Sequence, residues 1–161
     1  MRWIWIDKFV EFEPGRRAVA VKNLTLAEEH LHDHFPGYPI MPASLIIEGM
    51  AQTAGILVGE ARGFREKVIL AKVGKAEFHH VAVPGDRLEY HAEAQRIDDV
   101  GASTTGQVIR DNGKTREVLA DIEIMFSHID QNLQGLKFPQ ENFVFTDEFM
   151  RLFRSYRVDH G

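Results

Sequence analysis

A chain of 161 residues, 44% of them hydrophobic, is long enough to bury a sizeable core and short enough that a single domain is the default. The absence of cysteine excludes disulfides and thiolate chemistry and suits a reducing cytosol. A net charge of −5 gives no electrostatic reason to bind nucleic acid, and the opening MRWIWIDKFVEF is interrupted at Asp7 and Lys8 too early for a signal peptide or a membrane span.

Residues 3 to 12 are rich in Trp, Ile, Phe and Val, and Glu13-Pro14-Gly15-Arg16 is a turn signal before a second apolar run at 17 to 23, so the chain is expected to open with a β-hairpin. Thr25 and Glu28 have capping-box spacing and predict a short helical piece leading to His34. His30, His32 and His34 would line one side of an extended strand and could then hold a metal. The capping signal argues against extension, no carboxylate is placed to complete the ligand set, and no metal site is expected.

From Pro42 to Glu60 nearly every position is apolar or small, which predicts a helix buried all round, with Pro42 in its first turn. The charged run from Arg62 to Lys67 is a solvated connection. Four strands are then expected, Val68 to His80, Leu88 to Ile97, Ala102 to Arg110 and Thr115 to Phe126, with turns at Pro84-Gly85-Asp86 and at Asp111-Asn112-Gly113-Lys114, where Asn-Gly supplies positive backbone dihedrals. One helix followed by four strands reads as an antiparallel meander, and the 42 to 60 helix is the one long apolar partner for its face: an α+β domain over residues 1 to 127. Residues 128 to 161 form a C-terminal extension, irregular at first. A helix then starts at Thr146-Asp147-Glu148 and ends near Arg157, placing Phe149, Leu152, Phe153 and Tyr156 on a face that docks on the domain or a neighbouring subunit. Arg151, Arg154 and Arg157 lie on the opposite face, as a solvated stripe or a carrier-docking patch.

Inside the buried helix, ahead of its terminal Glu60, stands one carboxylate, Glu48, costly to desolvate if ionised, with Gln52 one turn on as its nearest polar neighbour. Taken singly, a histidine in a turn and a carboxylate in an apolar helix are more often structural than catalytic. Here they sit in one string: His34-Phe35-Pro36-Gly37-Tyr38-Pro39-Ile40-Met41-Pro42, with Glu48 fourteen residues after His34 inside Leu45-Ile46-Ile47-Glu48-Gly49-Met50-Ala51-Gln52. That string closely resembles the 3-hydroxyacyl-[acyl-carrier-protein] dehydratases of fatty acid synthesis. The likeness extends to Ile6-Asp7-Lys8-Phe9, Ala20 to Thr25, Ala71 to Phe78 and Val83-Pro84-Gly85-Asp86, so that it covers residues 5 to 127.

The resemblance implies a hotdog fold, in which a curved antiparallel sheet wraps one long helix. It also implies a cytoplasmic homodimer or trimer of dimers with sites at the dimer interface, acting on an acyl carrier protein thioester without metal or cofactor. The histidine of one subunit would face the acid of its partner. Eliminating water from such a thioester needs a base for the C2 proton, an acid for the C3 hydroxyl, and donors for the charge growing on the thioester oxygen. His34 suits the first role, having an ordinary pKa near neutrality. Glu48 suits the second, because an apolar setting favours the neutral, donating form. The free N–H groups at the helix start, around Ala43 and Ser44, suit the third, with Phe35 and Gln52 as further substrate contacts. The family usually carries glycine and then an apolar residue where this chain has Ala43-Ser44, and basic residues where it has Glu77, His79 and His80. An isomerising relative usually has aspartate at the place of Glu48, so glutamate favours dehydration alone. A hotdog thioesterase and a non-catalytic acyl-carrier-binding subunit are the competing readings; the His-Phe-Pro-Gly turn disfavours the first, and the presence of both His34 and Glu48 disfavours the second.

Overall fold

The computed structural model describes residues 4–129 and 139–156. Strands β1 (Lys8–Glu13) and β2 (Arg17–Asn23) form the expected hairpin, the short helix α1 (His30–Asp33) follows, and the long helix α2 spans Ala43–Ala61. Four strands come next, β3 (Lys67–Phe78), β4 (Arg87–Ile97), β5 (Gly101–Asp111) and β6 (Arg116–Ile129), and a last helix, α3, spans Asp147–Tyr156. Among the described residues no helix is long and apolar enough to cross a membrane.

All six strands join one antiparallel sheet in the order β1-β2-β4-β5-β6-β3. This corrects the simple meander read from the sequence. Of the four strands after α2, only β4-β5-β6 run as neighbours; β3 crosses to the far edge beside β6, and β4 docks on β2 through Ala20↔Tyr90 and Leu88↔Lys22. The reason is geometric. A sheet that must cover a helix from both sides needs strands on each flank, and feeding β3 to one edge lets the meander fill the middle.

Helix α2 provides the core against which that sheet closes. Ile46, Met50, Ala54, Leu57 and Val58 are buried with Tyr90, Leu88, Val108, Leu119, Ile122 and Ile124 of the sheet. The close approach is made possible by glycine: a Cβ at Gly49 would stand 2.4 Å from Tyr90 Cζ, and one at Gly59 would stand 2.5 Å from Phe145 Cζ. Burial pushes the Tyr90 hydroxyl well above its ordinary pKa, with Asp7 and Glu28 adding to the shift. The helix is not buried all round, however. Ala43 and Ser44 in its first turn are exposed and Glu48 is half-buried, while the burial is concentrated from Gly49 to Gly59. Its ends carry no side-chain cap, no acidic residue in the first turn and no basic residue in the last.

Two turn readings also change. Thr25 and Glu28 do interact, the Glu28 Oε1 accepting the Thr25 N–H at 3.2 Å and Thr25 Oγ1 accepting from the Ala27 N–H at 3.3 Å. They close a turn, with helix beginning only at His30. In the β5–β6 hairpin Gly113 alone takes a positive φ, of 81°. Asn112 contributes through its side chain instead, its Oδ1 accepting from the N–H groups of Lys114 at 2.9 Å and Thr115 at 2.8 Å.

The C-terminal segment closes over one end of the core. Phe153 of α3 is buried, its ring edge-on to Phe9, Phe12 and Phe64 at 5.6, 5.8 and 5.7 Å, while Arg151 and Arg154 are exposed. Trp3 and Arg157 lie outside the described residues, as do the side chains of Phe149, Leu152 and Tyr156. At the end of α2, Arg62 binds both Glu66 and Asp99 at 2.7 Å, and its hydrogen bond holds the Glu66 carboxyl below the usual carboxylate range.

Replacing Gly49 by Ala tests the close approach. The new methyl must displace the fully buried Tyr90 ring, and an overpacked core position costs about 1–3 kcal/mol. Gly49→Ala is expected to lower the urea midpoint accordingly, with an unchanged denaturant slope.

Candidate active site

His34 ends α1 and is held by the turn that follows. Phe35 and Tyr38 exchange backbone hydrogen bonds at 3.0 and 2.9 Å, the Ile40 N–H donates to the His34 carbonyl at 2.9 Å, and Gly37 takes the positive φ, of 76°, that lets so short a loop close. The His34–Phe35 peptide bond is cis. The imidazole stacks on the exposed Phe35 ring at 4.2 Å, and its Nδ1 lies 2.9 Å from the Ile40 carbonyl oxygen. A carbonyl can only accept, so Nδ1 carries the proton and donates it. The lone pair is left on Nε2, which makes this nitrogen the available base.

Pro39 and Pro42 bring the turn to the start of α2, and the Met41 N–H is taken by the Ala82 carbonyl at 2.8 Å. The first intrahelical bonds run from Leu45 and Ile46 to the Pro42 carbonyl. The N–H groups of Ala43 and Ser44 therefore precede the hydrogen-bonded helix and face the exposed end of α2, where they can receive an anionic oxygen. Neither residue has a positive φ, so alanine in place of glycine at position 43 imposes no backbone strain.

Glu48 stands between one and two turns into α2 and is oriented through a short relay. Gln52 Nε2 donates to Glu48 Oε1 at 3.0 Å, and Gln52 Oε1 in turn accepts the Trp5 backbone N–H at 2.8 Å. The Trp5 donor fixes which way the Gln52 amide points, so Glu48 Oε1 receives a donor and Oε2 is left for other work. Trp5 itself is buried, edge-on to the His30 ring at 5.1 Å, and burial holds His30 below its ordinary pKa. Helical spacing alone marks Gln52 as a polar neighbour of Glu48, but no local signal marks the backbone donor forty-seven positions away that orients it.

Glu48 and Gln52 line a cleft of about 270 Å³ together with Ile4, Ala51, Gly55, Ile56, Val68, Leu70, Phe126, Val144 and Phe145. His34, Phe35, Ala43 and Ser44 are not among its lining residues. Within one chain Glu48 is thus in the apolar cleft, and His34 and the Ala43 and Ser44 N–H groups are outside it. Val144 and Phe145 had no signal in the sequence, because they lie beyond the stretch that carries the motif. They are placed by Asn142, whose Oδ1 accepts the N–H groups of both at 3.0 Å while its Nδ2 donates to the carbonyls of Phe64 and Glu66 at 3.1 and 3.2 Å. A larger depression of about 680 Å³ lies on the sheet away from α2, lined by polar side chains that include His91, Gln107 and Asp121.

Elsewhere, the residues standing where the family is basic are matched to carboxylates or to a lysine: Glu77 to Lys75 at 2.9 Å, His79 to Asp121 at 2.8 Å and His80 to Glu117 at 3.3 Å. Among the described residues, the side chains whose ligand atoms converge are Glu77, His79 and Asp121, not His30, His32 and His34.

Known proteins resemble this chain both in fold and in sequence. A thioesterase family protein from Silicibacter pomeroyi superposes over 76% of this chain and 83% of its own, with a TM-score of 0.62 at 13% identity. The dehydratase heterocomplex ApeI:P from Xenorhabdus doucetiae gives 0.57 over 74% and 96%, at 16% identity. These likenesses establish a hotdog fold of the α+β class. The model of the FabA-like domain matches residues 3–115, and the chain belongs to that family. Its curated relatives include 3-hydroxyacyl-[acyl-carrier-protein] dehydratases named FabZ. That of Acetivibrio thermocellus is 38% identical over 81% of this chain and 87% of its own, and that of Pelotomaculum thermopropionicum is 35% identical over 78% and 87%.

Removing the Asn142 side chain takes away the acceptor that holds the Val144 and Phe145 amides. In Asn142→Ala these two amides are expected to exchange with solvent about tenfold faster or more, and the protein to lose about 1–3 kcal/mol of stability. Hydrogen exchange by mass or NMR measures the first, and denaturant unfolding the second.

Proposed function

We propose that this protein is a cytosolic dehydratase of fatty acid biosynthesis that converts 3-hydroxyacyl-[acyl-carrier-protein] thioesters to trans-2-enoyl thioesters, with His34 as base and Glu48 as acid. The observation that carries the reading is the complementary preparation of the two groups. His34 has Nδ1 committed to the Ile40 carbonyl and Nε2 left to accept a proton, and Glu48 has Oε1 committed to Gln52 and Oε2 left to give one.

In this scheme His34 Nε2 takes the C2 proton. Negative charge moves onto the thioester oxygen, where the Ala43 and Ser44 N–H groups receive it, and the C3 hydroxyl departs as water with the proton from Glu48. Positioned acid–base groups contribute about 10²- to 10⁴-fold each. Phe35, stacked on His34, shields the base from one side. No step in this scheme calls on a metal or a cofactor.

The site is completed by a second copy of the chain. Glu48 opens into a cleft that His34 does not line, and β3 ends the sheet as an edge exposed from Leu70 to Glu77, able to pair with another strand. A two-fold pairing would set the His34 turn of one subunit beside the Glu48 cleft of its partner, either as a dimer or within a trimer of dimers.

His34→Ala and Glu48→Gln are each expected to lower turnover of a 3-hydroxyacyl carrier thioester at least about 100-fold while leaving the unfolding midpoint nearly unchanged. Either variant at near-full activity would remove that residue from the scheme. When the two inactive variants are co-refolded, about half of the dimers pair unlike subunits and hold one intact site, so activity should recover to roughly a quarter of wild type. No recovery from verified mixed dimers would place both residues in one subunit.

A further inference from the structure

The cleft holding Glu48 runs along one face of α2. Its residues from the helix are Glu48, Ala51, Gln52, Gly55 and Ile56, which recur at the three- and four-residue spacing of a single helical face. From Glu48 to Ile56 this face extends about 12 Å, room for roughly eight to ten carbons of an extended chain. Apart from Glu48 and Gln52 its walls are apolar or small: Ile4, Val68, Leu70 and Phe126 flank the helix, and Ala51 and Gly55 keep the floor low. A Cβ at Gly55 would stand 3.4 Å from Phe126 Cε1, so the groove is already narrow there.

Beyond Ile56 the same helical face continues to Gly59, and there the groove stops. Phe145 lines it and lies across Gly59 so closely that a Cβ at that position would meet the ring at 2.5 Å. Phe145 is 8% exposed, and its ring packs edge-on to Phe64 at 5.0 Å. Its backbone is held by the four hydrogen bonds of Asn142, which tie residues 142 to 145 to the Phe64 and Glu66 carbonyls. A buried aromatic ring fixed at both backbone and side chain is a wall rather than a gate. It comes from a segment outside residues 3–115, which match the family's domain.

We propose that Phe145, braced by Asn142, is the end stop of the acyl groove and restricts this enzyme to substrates with short and medium acyl chains. The inference rests on the reading of Glu48 as the acid, because the reacting C3 carbon must sit at the Glu48 end for the rest of the acyl chain to run toward Phe145. Each additional methylene past the stop must displace the ring or fold back, and a hydrophobic pocket discriminates by about 10- to 200-fold per methylene group.

Two measurements on the full chain test it. The first needs no turnover: S-alkyl pantetheine thioethers of four to sixteen carbons are added and the shift in melting temperature is followed against chain length. Stabilisation of the wild type should rise up to about ten carbons and then level or fall. In Phe145→Ala it should go on rising through the longer probes, and in Phe145→Leu, the milder change kept in case the first does not fold, the limit should move by a smaller step. The second is kcat/KM on 3-hydroxyacyl carrier thioesters of the same lengths. Here the ratio of long-chain to eight-carbon activity should increase at least roughly tenfold in the variants. A wild type that accepts sixteen carbons as well as eight, or a length profile that does not move in either variant, overturns the end stop. Because the thioether profile is independent of chemistry, its displacement supports the stop even where Glu48→Gln retains turnover and the dehydratase scheme falls.

Discussion

The structure depends on how near a helix can come to the sheet that wraps it. The tip of the Tyr90 ring lies against Gly49 and the Phe145 ring against Gly59, at distances that any Cβ would forbid. Those two contacts place α2 at a depth where Ile46, Met50, Ala54 and Leu57 reach the sheet. At the same depth Glu48 and Gln52 lie at the mouth of a narrow apolar groove instead of in open solvent. Glycine costs a helix interior about 1 kcal/mol per residue relative to alanine, a loss offset by the apolar surface that close packing removes from water.

His34 and Glu48 share an economy of hydrogen bonding. In both His34 and Glu48 one heteroatom is committed to a partner that dictates its state and the other is left for chemistry. The Ile40 carbonyl does this for the imidazole, and the Gln52 amide, itself oriented by Trp5, does it for the carboxyl. Such orientation needs no close contact between the two side chains in one chain: the turn carrying His34 and the cleft carrying Glu48 are separate features of the subunit.

The sequence made much of this legible because its signals are local. The period of the α2 stretch, the alternating strands and the His-Phe-Pro-Gly turn each depend on a few neighbouring residues, and the strands and helices fall within a few positions of where they were expected. What could not be read was long-range. Nothing in Val68 to His80 says that it will cross to the edge beside β6, since strand order is settled by closure around the helix and not by the strand's own residues. The Trp5 donor to Gln52 and the Asn142 bracket were hidden for the same reason, as contacts across 47 and 78 positions. Even the Asn-Gly turn kept its place while changing its mechanism, with Asn112 acting through its side chain and only Gly113 crossing to positive φ.

The bare ends of α2 bear on how the protein comes to be folded. A helix with three interior glycines, no capping side chain and no charge set against its dipole has little helicity of its own. It becomes a helix when the sheet arrives. That sheet is joined by pairings as distant in sequence as Arg17 with Glu93 and Lys67 with Ile129, so most of the loop-closure entropy must be met before α2 is stabilised. Glu48, the first-turn N–H groups of α2 and the groove therefore take their places late and together. In a chain emerging from the ribosome the local His34 turn can close early, whereas Glu48 has no groove around it until β6, the last strand among the described residues, has paired.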